Sequence, residues 1–392
     1  MRALRFSRRS FLQGSSLASA ALALRIVTEP MLAQAAAKVL PPGTIKIDAN
    51  ENPLGPCDSA RAALSAIIPQ GGRYALPLTD ELARLFAEQQ GLPPDHVAVF
   101  PGSSEPLHYS VLTFTNRARS YVTGDPGYEA GLDAAKVSGA RVVKVPLTKT
   151  YAHDIPAMLA AAPDAGLFYI CTPNNPTGTL TPLTDIEYAA EHKPKDSVLL
   201  VDEAYIHFTE TPTAIDLVKA GRDVIVLRTF SKIYGMAGLR CGFAIARPDL
   251  LARLNHFHGW GAMPVTGVVA AMASLREAQL VPERRRINAA NREATFQWLS
   301  SHGYRYIPSE TNFFMLDTGR PAKPVIDAML GQRVAIGRIW PAMPTYSRIT
   351  VGTSDEMAAF QAAFKKVMDG SVSTAAFVSR ERPSRDGCRI PS

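Results

Sequence analysis

Apolar positions in this chain follow two periods that alternate along its length. Over residues 79–90 they recur at helical spacing, with Leu82, Leu85 and Phe86 on one face. Short runs rich in β-branched or apolar residues follow at 141–146, 166–170, 197–201, 223–227 and 242–245, separated by helical segments such as 182–192. Apolar strands alternating with helices predict an α/β fold with a largely parallel sheet covered on both faces. The pattern then changes. A long amphipathic helix with an Arg-rich polar face is predicted over 280–301, strands over 312–316 and 346–351, and a closing helix over 355–368. This divides the chain into a large domain, 71–275, and a smaller α+β domain, 276–369. Residues 36–70 are rich in Pro, Gly and Asn and read as an arm, with a short helix near 59–68. Ser, Arg and Pro dominate 370–392, which predicts a disordered tail.

Composition changes little in this picture. With 392 residues, 46% hydrophobic and 20% charged, the chain is globular and long enough for a sizeable core. The net charge is +7, but residues 1–35 carry five arginines against one glutamate, which leaves about +3 for the rest. The body has no basic run that calls for nucleic acid. The four cysteines, Cys57, Cys171, Cys241 and Cys388, form no C-x-x-C motif, so neither a zinc site nor a disulfide is predicted.

The first 35 residues are unlike the rest. Ser7-Arg8-Arg9-Ser10-Phe11-Leu12 resembles the bacterial twin-arginine export motif, a weakly apolar run extends from Phe11 to Leu24, and Ala33-Gln34-Ala35 reads as a cleavage site. The apolar run is too short to span a bilayer, so no stable membrane insertion is expected. The order of these features predicts a signal peptide over 1–35, the twin-arginine translocase as a transient partner, and a periplasmic mature protein. The competing reading is a basic amphipathic helix on a cytoplasmic protein.

Chemistry gathers where strands end, because ligands of open parallel sheets collect at the carboxyl edge. Asn174-Asn175-Pro176-Thr177-Gly178 follows one apolar run, Asp202-Glu203-Ala204-Tyr205 the next, and Phe230-Ser231-Lys232 the one after. Taken singly these are a turn, a helix cap and a surface lysine. Taken together they suit one cofactor. A pyridinium ring needs a carboxylate at its nitrogen, which Asp202 can supply. Its hydroxyl needs donors, which Asn175 and Tyr205 can supply. An aldehyde needs an amine for a Schiff base, which Lys232 can supply. A phosphate needs a helix N-terminus with hydroxyl and cationic donors, and Ser103, Ser104, Ser231 and Arg240 fit that need. Tyr128 offers an aromatic face for stacking.

These motifs, with Asn50-Glu51-Asn52-Pro53-Leu54-Gly55-Pro56, Arg73-Tyr74, Pro126-Gly127-Tyr128, Gly238-Leu239-Arg240, Thr311-Asn312-Phe313 and Arg348-Ile349-Thr350-Val351-Gly352-Thr353, stand in an order that resembles the histidinol-phosphate aminotransferase family, within the class I/II aminotransferases of fold type I. The resemblance covers roughly residues 45–365. It implies a mostly parallel seven-stranded sheet, pyridoxal 5′-phosphate as cofactor, no metal, and ping-pong transfer of an amino group between an amino acid and a 2-oxo acid. It implies that Lys232 forms the Schiff base and shuttles the proton. Asp202 then holds the pyridinium, Asn175 and Tyr205 bind the ring oxygen, and Tyr128 stacks. Ser103, Ser104, Ser231 and Arg240 bind the phosphate. Tyr74 reaches the cofactor of a second subunit, which implies a homodimer with shared sites. Arg348 grips the substrate carboxylate, Arg338 assists with a second anionic group, and Asn52 lies at the substrate site.

Three departures from the family bear on the substrate. Ser104 stands where the family usually has Asp, and Phe100-Pro101 where it has Gly-Asn. Ala75-Leu76 follows Tyr74 where a Pro is favoured. The export signal does not suit histidine biosynthesis, which is cytoplasmic. The apolar stretch 339–344 after Arg338 suggests that Trp340 narrows the pocket and favours an aromatic or apolar amino acid. The alternatives are an authentic histidinol-phosphate aminotransferase, an amino acid decarboxylase on the same fold, and a non-catalytic binding protein. Intact Lys232, Asp202 and Arg240 argue against the last.

Overall fold

Val, Ile, Leu and aromatic residues fill the central strands, and such strands are stable only where both faces are covered. The protein is described here by a computed structural model, which defines residues 40–258 and 262–370. The predicted signal peptide and all but the first residue of the predicted tail lie outside the described residues.

In chain order the elements begin with β1 (Ile45–Ile47), α1 (Asp58–Ile67), α2 (Leu76–Gln90), β2 (Val97–Phe100), α3 (Ser104–Phe114), β3 (Ser120–Asp125), α4 (Ala130–Ser138) and β4 (Val142–Pro146). There follow α5 (Ile155–Ala161), β5 (Ala165–Cys171), α6 (Leu183–His192), β6 (Val198–Asp202), α7 (Ile215–Lys219), β7 (Val224–Thr229) and β8 (Gly242–Ile245). The chain continues through α8 (Pro248–His258), α9 (Val265–Arg276), α10 (Leu280–Ser301), β9 (Arg305–Ile307), β10 (Phe313–Asp317), α11 (Ala322–Gly331), β11 (Val334–Ile336), β12 (Tyr346–Thr350) and α12 (Ser354–Met368).

The large sheet has seven strands in the order β2-β8-β7-β6-β5-β3-β4. Neighbours are parallel except at β8, which runs antiparallel to both β2 and β7. Strands β5, β6 and β7 are buried at every position. Side chains alternate between two apolar layers: Leu199 and Val201 join Phe86 and Phe243 on one face, and Val198 and Leu200 join Leu107 and Tyr169 on the other. Helix α9 packs on α1 and α2.

The smaller core forms around the antiparallel sheet β12-β10-β9 and includes Phe296, Phe314, Met329 and Phe360. A reciprocal cap between Thr353 and Glu356 starts α12. Strand β1, within the stretch read as an arm, pairs in parallel with β11 and puts Ile47 into this core. Strands β1, β2, β3, β9 and β11 were not foreseen, nor was the reversed direction of β8. Among the described residues, no helix is long and apolar enough to cross a membrane.

Candidate active site

Four parallel strands deliver the polar motifs to one edge. Cys171 ends β5 beside Asp202, which ends β6, and Asp202 lies beside Leu227 of β7. Lys232 follows β7 by three residues, and Tyr128 follows β3. Asp202 is buried. Its Oδ2 accepts a hydrogen bond from the Tyr169 hydroxyl at 2.9 Å, and its Oδ1 accepts one from the Ala204 N–H at 3.1 Å. Burial, and then the negative charge of Asp202, push the Tyr169 phenol well above its usual range, so it stays protonated and donates.

Lys232 is only 2% exposed, which removes the reading of a surface lysine. Its Nζ lies 5.4 Å from the centre of the Tyr205 ring. Asn50 Nδ2 donates to the Tyr205 hydroxyl at 3.1 Å, and the Tyr205 ring packs edge-on against Phe313. Asn50 has φ +55°, a conformation Asn tolerates, and its N–H donates to Thr350 Oγ1 at 2.9 Å. Asn52 Nδ2 donates to the carbonyl of Ile233, next to Lys232, at 3.0 Å.

Arg348 projects from β12 and is buried. Its Nη1 donates to Asn175 Oδ1 at 2.7 Å and its Nη2 to the Asp48 carbonyl at 3.0 Å. The neighbouring Asn174 donates through Nδ2 to Thr177 Oγ1 at 2.8 Å and to the Pro126 carbonyl at 3.3 Å, which ties this loop to the one bearing Tyr128. Trp340 is fully buried, with the guanidinium groups of Arg338 and Arg348 4.4 Å and 5.3 Å from its ring. Its Nε1 donates to the Gly127 carbonyl at 3.1 Å, beside Tyr128. Arg338 forms an ion pair with Glu129 at 2.8 Å.

An anion cradle stands at the start of α3. Ser103 caps the helix without spending its side chain on a cap bond, and Ser104 Oγ lies 3.3 Å from the Tyr128 hydroxyl. Gly102 has φ +90°, and a Cβ there would fall 2.3 Å from Arg240 Nη2. The missing side chain therefore lets the guanidinium lie against the backbone. Arg240 donates through Nη1 to Ser231 Oγ at 3.3 Å and to the Ala237 carbonyl at 2.8 Å, and through Nη2 to the Pro101 carbonyl at 3.0 Å. Hydroxyls, a guanidinium and first-turn N–H groups make a site for a phosphate. A buried amine, a buried carboxylate and this cradle on one sheet edge fit the donor set of pyridoxal phosphate.

Tyr74 precedes α2 and is 63% exposed. Two groups at the site carried no signal that sequence reasoning used: Tyr169 sits within an apolar strand and reads as core, and Glu129 is a lone acid after Tyr128. Asn50 was read only as part of the run from Asn50 to Pro56, with no role of its own.

Residues 42–364 match the family described as aminotransferase class I and II. The chain belongs to this family. Among similar proteins, the histidinol-phosphate aminotransferase of Symbiobacterium thermophilum is 36% identical over 327 residues, covering 83% of this chain and 90% of that one. An aromatic amino acid aminotransferase of Cutibacterium acnes is 33% identical over 300 residues, covering 76% and 85%. The crystal structure of histidinol-phosphate aminotransferase from Sinorhizobium meliloti with pyridoxal-5′-phosphate aligns with a TM-score of 0.79 at 26% identity, covering 90% and 97%. This aminotransferase is a pyridoxal-phosphate-dependent transaminase, close to the histidinol-phosphate aminotransferases. Its family uses amino acid and keto acid substrates and generally forms dimers.

Proposed function

We propose that this aminotransferase works on amino acids with aromatic or apolar side chains, as an exported homodimer. The observation that carries the substrate class is Trp340, a buried indole beside Arg338 and Arg348, with the charge of Arg338 already met by Glu129. An indole wall favours a flat or apolar side chain, and a paired guanidinium is a poor receiver for a phosphate dianion. The likeness to the Cutibacterium acnes enzyme, named for aromatic amino acids, supports the same reading.

Bound pyridoxal phosphate supplies an aldehyde that joins amines and a ring that withdraws electrons from the substrate α-carbon. Lys232 Nζ would hold the cofactor through its aldehyde and, once freed, would accept a proton from the substrate and return it. Asp202 would hold a proton on the ring nitrogen. Asn175 accepts from Arg348 through Oδ1, which leaves its Nδ2 to donate to the ring oxygen beside Tyr205. Tyr128 would stack on the ring, and Ser103, Ser104, Ser231 and Arg240 would hold the phosphate. Arg348, fixed by Asn175 and Asp48, pairs with the substrate carboxylate, and Asn52 borders the site. The exposed Tyr74 serves the partner subunit's cofactor. Use of one site by the amino donor and then by the acceptor predicts ping-pong kinetics.

The substrate test compares phenylpyruvate with imidazole-acetol phosphate as amino acceptors. Preference for phenylpyruvate is expected. Clear preference for the phosphate ester would move the assignment to a histidinol-phosphate aminotransferase, and release of carbon dioxide without amino transfer to a decarboxylase. Export rests on the ordered features of residues 1–35. A reporter fused to those residues should reach the periplasm and should stay inside when Arg8 and Arg9 are both changed to Lys.

A further inference from the structure

Tyr169 lies on β5 in register with Leu200 of β6, two residues before the pair Cys171 and Asp202. Its side chain is fully buried, and its hydroxyl donates to Asp202 Oδ2 at 2.9 Å. The other carboxylate oxygen takes the Ala204 N–H. A donor on each oxygen fixes the plane of the carboxylate.

We propose that Tyr169 is a positioning residue for the cofactor: its hydrogen bond to Asp202 aims that carboxylate at the ring nitrogen and keeps the shared proton on the ring. This rests on the assignment of Asp202 as the pyridinium partner. A neutral donor on a carboxylate favours its ionised form, so the carboxylate competes less for the proton between it and the ring. Tyr169 suits that task because it remains a donor. Its ionisable neighbours are Asp202, Cys171 and Tyr121, and their negative forms all oppose loss of its proton. A purely packing role asks only for a ring, and phenylalanine would fill the same space beside Tyr121, whose ring centre is 6.4 Å away. A buried hydroxyl on that ring would cost stability if it were not satisfied, and Asp202 satisfies it.

The test uses the holoenzyme of Tyr169→Phe. The pH titration of the bound cofactor's visible absorbance is followed, with cofactor affinity, kcat and KM beside it. The expected result is a midpoint displaced by at least about half a pH unit, cofactor affinity weakened several-fold, and kcat reduced about ten-fold with KM within about two-fold. Fluorotyrosine at position 169, a stronger donor of the same shape, should displace the midpoint in the opposite direction, and serves if Tyr169→Phe folds poorly. An unchanged midpoint in both proteins would overturn the proposal. Asp202→Asn is titrated in parallel. If it moves the midpoint and the Tyr169 variants do not, only the role of Tyr169 falls. If Asp202→Asn leaves the midpoint in place, the assignment of Asp202 falls and this proposal with it.

Discussion

Arg348 Nη1 and Asn175 Oδ1 are 2.7 Å apart, which joins the last strand of the small sheet to the loop at the end of β5. The residue assigned to the substrate carboxylate and one assigned to the cofactor hydroxyl thus hold each other in place. Lysine at 348 would keep the charge and lose the planar fork that reaches Asn175, Asp48 and a carboxylate together. Arg348→Lys should raise KM for amino acid donors about 10- to 100-fold, the loss of one or two charge-assisted hydrogen bonds, with a smaller change in kcat. Stopped-flow rates of the first half-reaction check this.

The closeness of Gly102 to Arg240 predicts an effect on cofactor affinity. An alanine there meets Arg240 Nη2 and strains a backbone with φ +90°. Gly102→Ala should weaken binding of pyridoxal phosphate at least about ten-fold, the order expected when one charge-assisted bond to the phosphate is lost. Affinity for unphosphorylated pyridoxal should barely change. Equilibrium dialysis with both ligands separates a phosphate effect from general unfolding.

Lys232→Ala should abolish the visible band of the bound cofactor, which depends on a covalent link to the amine. Transamination should fall by more than about 10⁴-fold, because nucleophile and proton carrier are lost together. Absorbance spectra and single-turnover rates read the two effects separately.

The pair Arg338–Glu129 predicts a change of preference. Both side chains are about a quarter exposed, so the pair contributes no more than about 1 kcal/mol. Glu129→Gln releases the charge of Arg338 and should improve kcat/KM for phosphate-bearing acceptors about five-fold relative to phenylpyruvate. An unchanged ratio would count against a role for Glu129 in selection.

Two buried histidines make stability fall in mild acid. Burial is the leading cause that lowers His108 and His153 to about 4. An unfolded chain takes up these protons near pH 6.5, and the folded chain only near pH 4. Stability is therefore complete above about pH 6.5 and is lost as pH falls through that window, by at most on the order of 1 kcal/mol per pH unit per histidine. Below about pH 4 these groups add no further loss. Urea titrations between pH 7 and 4 test the slope, and His153→Gln should flatten it.

Much of the site was readable because its residues break a pattern. Asp202 ends an apolar strand, and Lys232 and Asn175 lie three and four residues past one, where chemistry rather than packing explains them. Arg240 follows Gly238-Leu239 in a turn and is recognisable only with its neighbours. Tyr169 breaks no pattern, since a tyrosine in a buried strand looks like core until its hydroxyl is traced to Asp202. Glu129 and Arg338 are remote in sequence, and no periodicity relates them. Strand β8 was located correctly but not oriented, because an apolar run has no direction and the twelve-residue connection from β7, which carries Lys232 and Arg240, does not settle it. Strand β1 was hidden for a different reason: three residues are too few to show a period.

The small strand β1 and the residues after it also set an order of events during synthesis. Asn50 bonds to Thr350 and Asp48 to Arg348, each pair separated by 300 residues. Asp48 and Asn50 leave the ribosome long before their partners exist, so the contacts that hold Arg348 and Thr350 are among the last to form. A chain that stops before β12 lacks both, whatever its large sheet has already built.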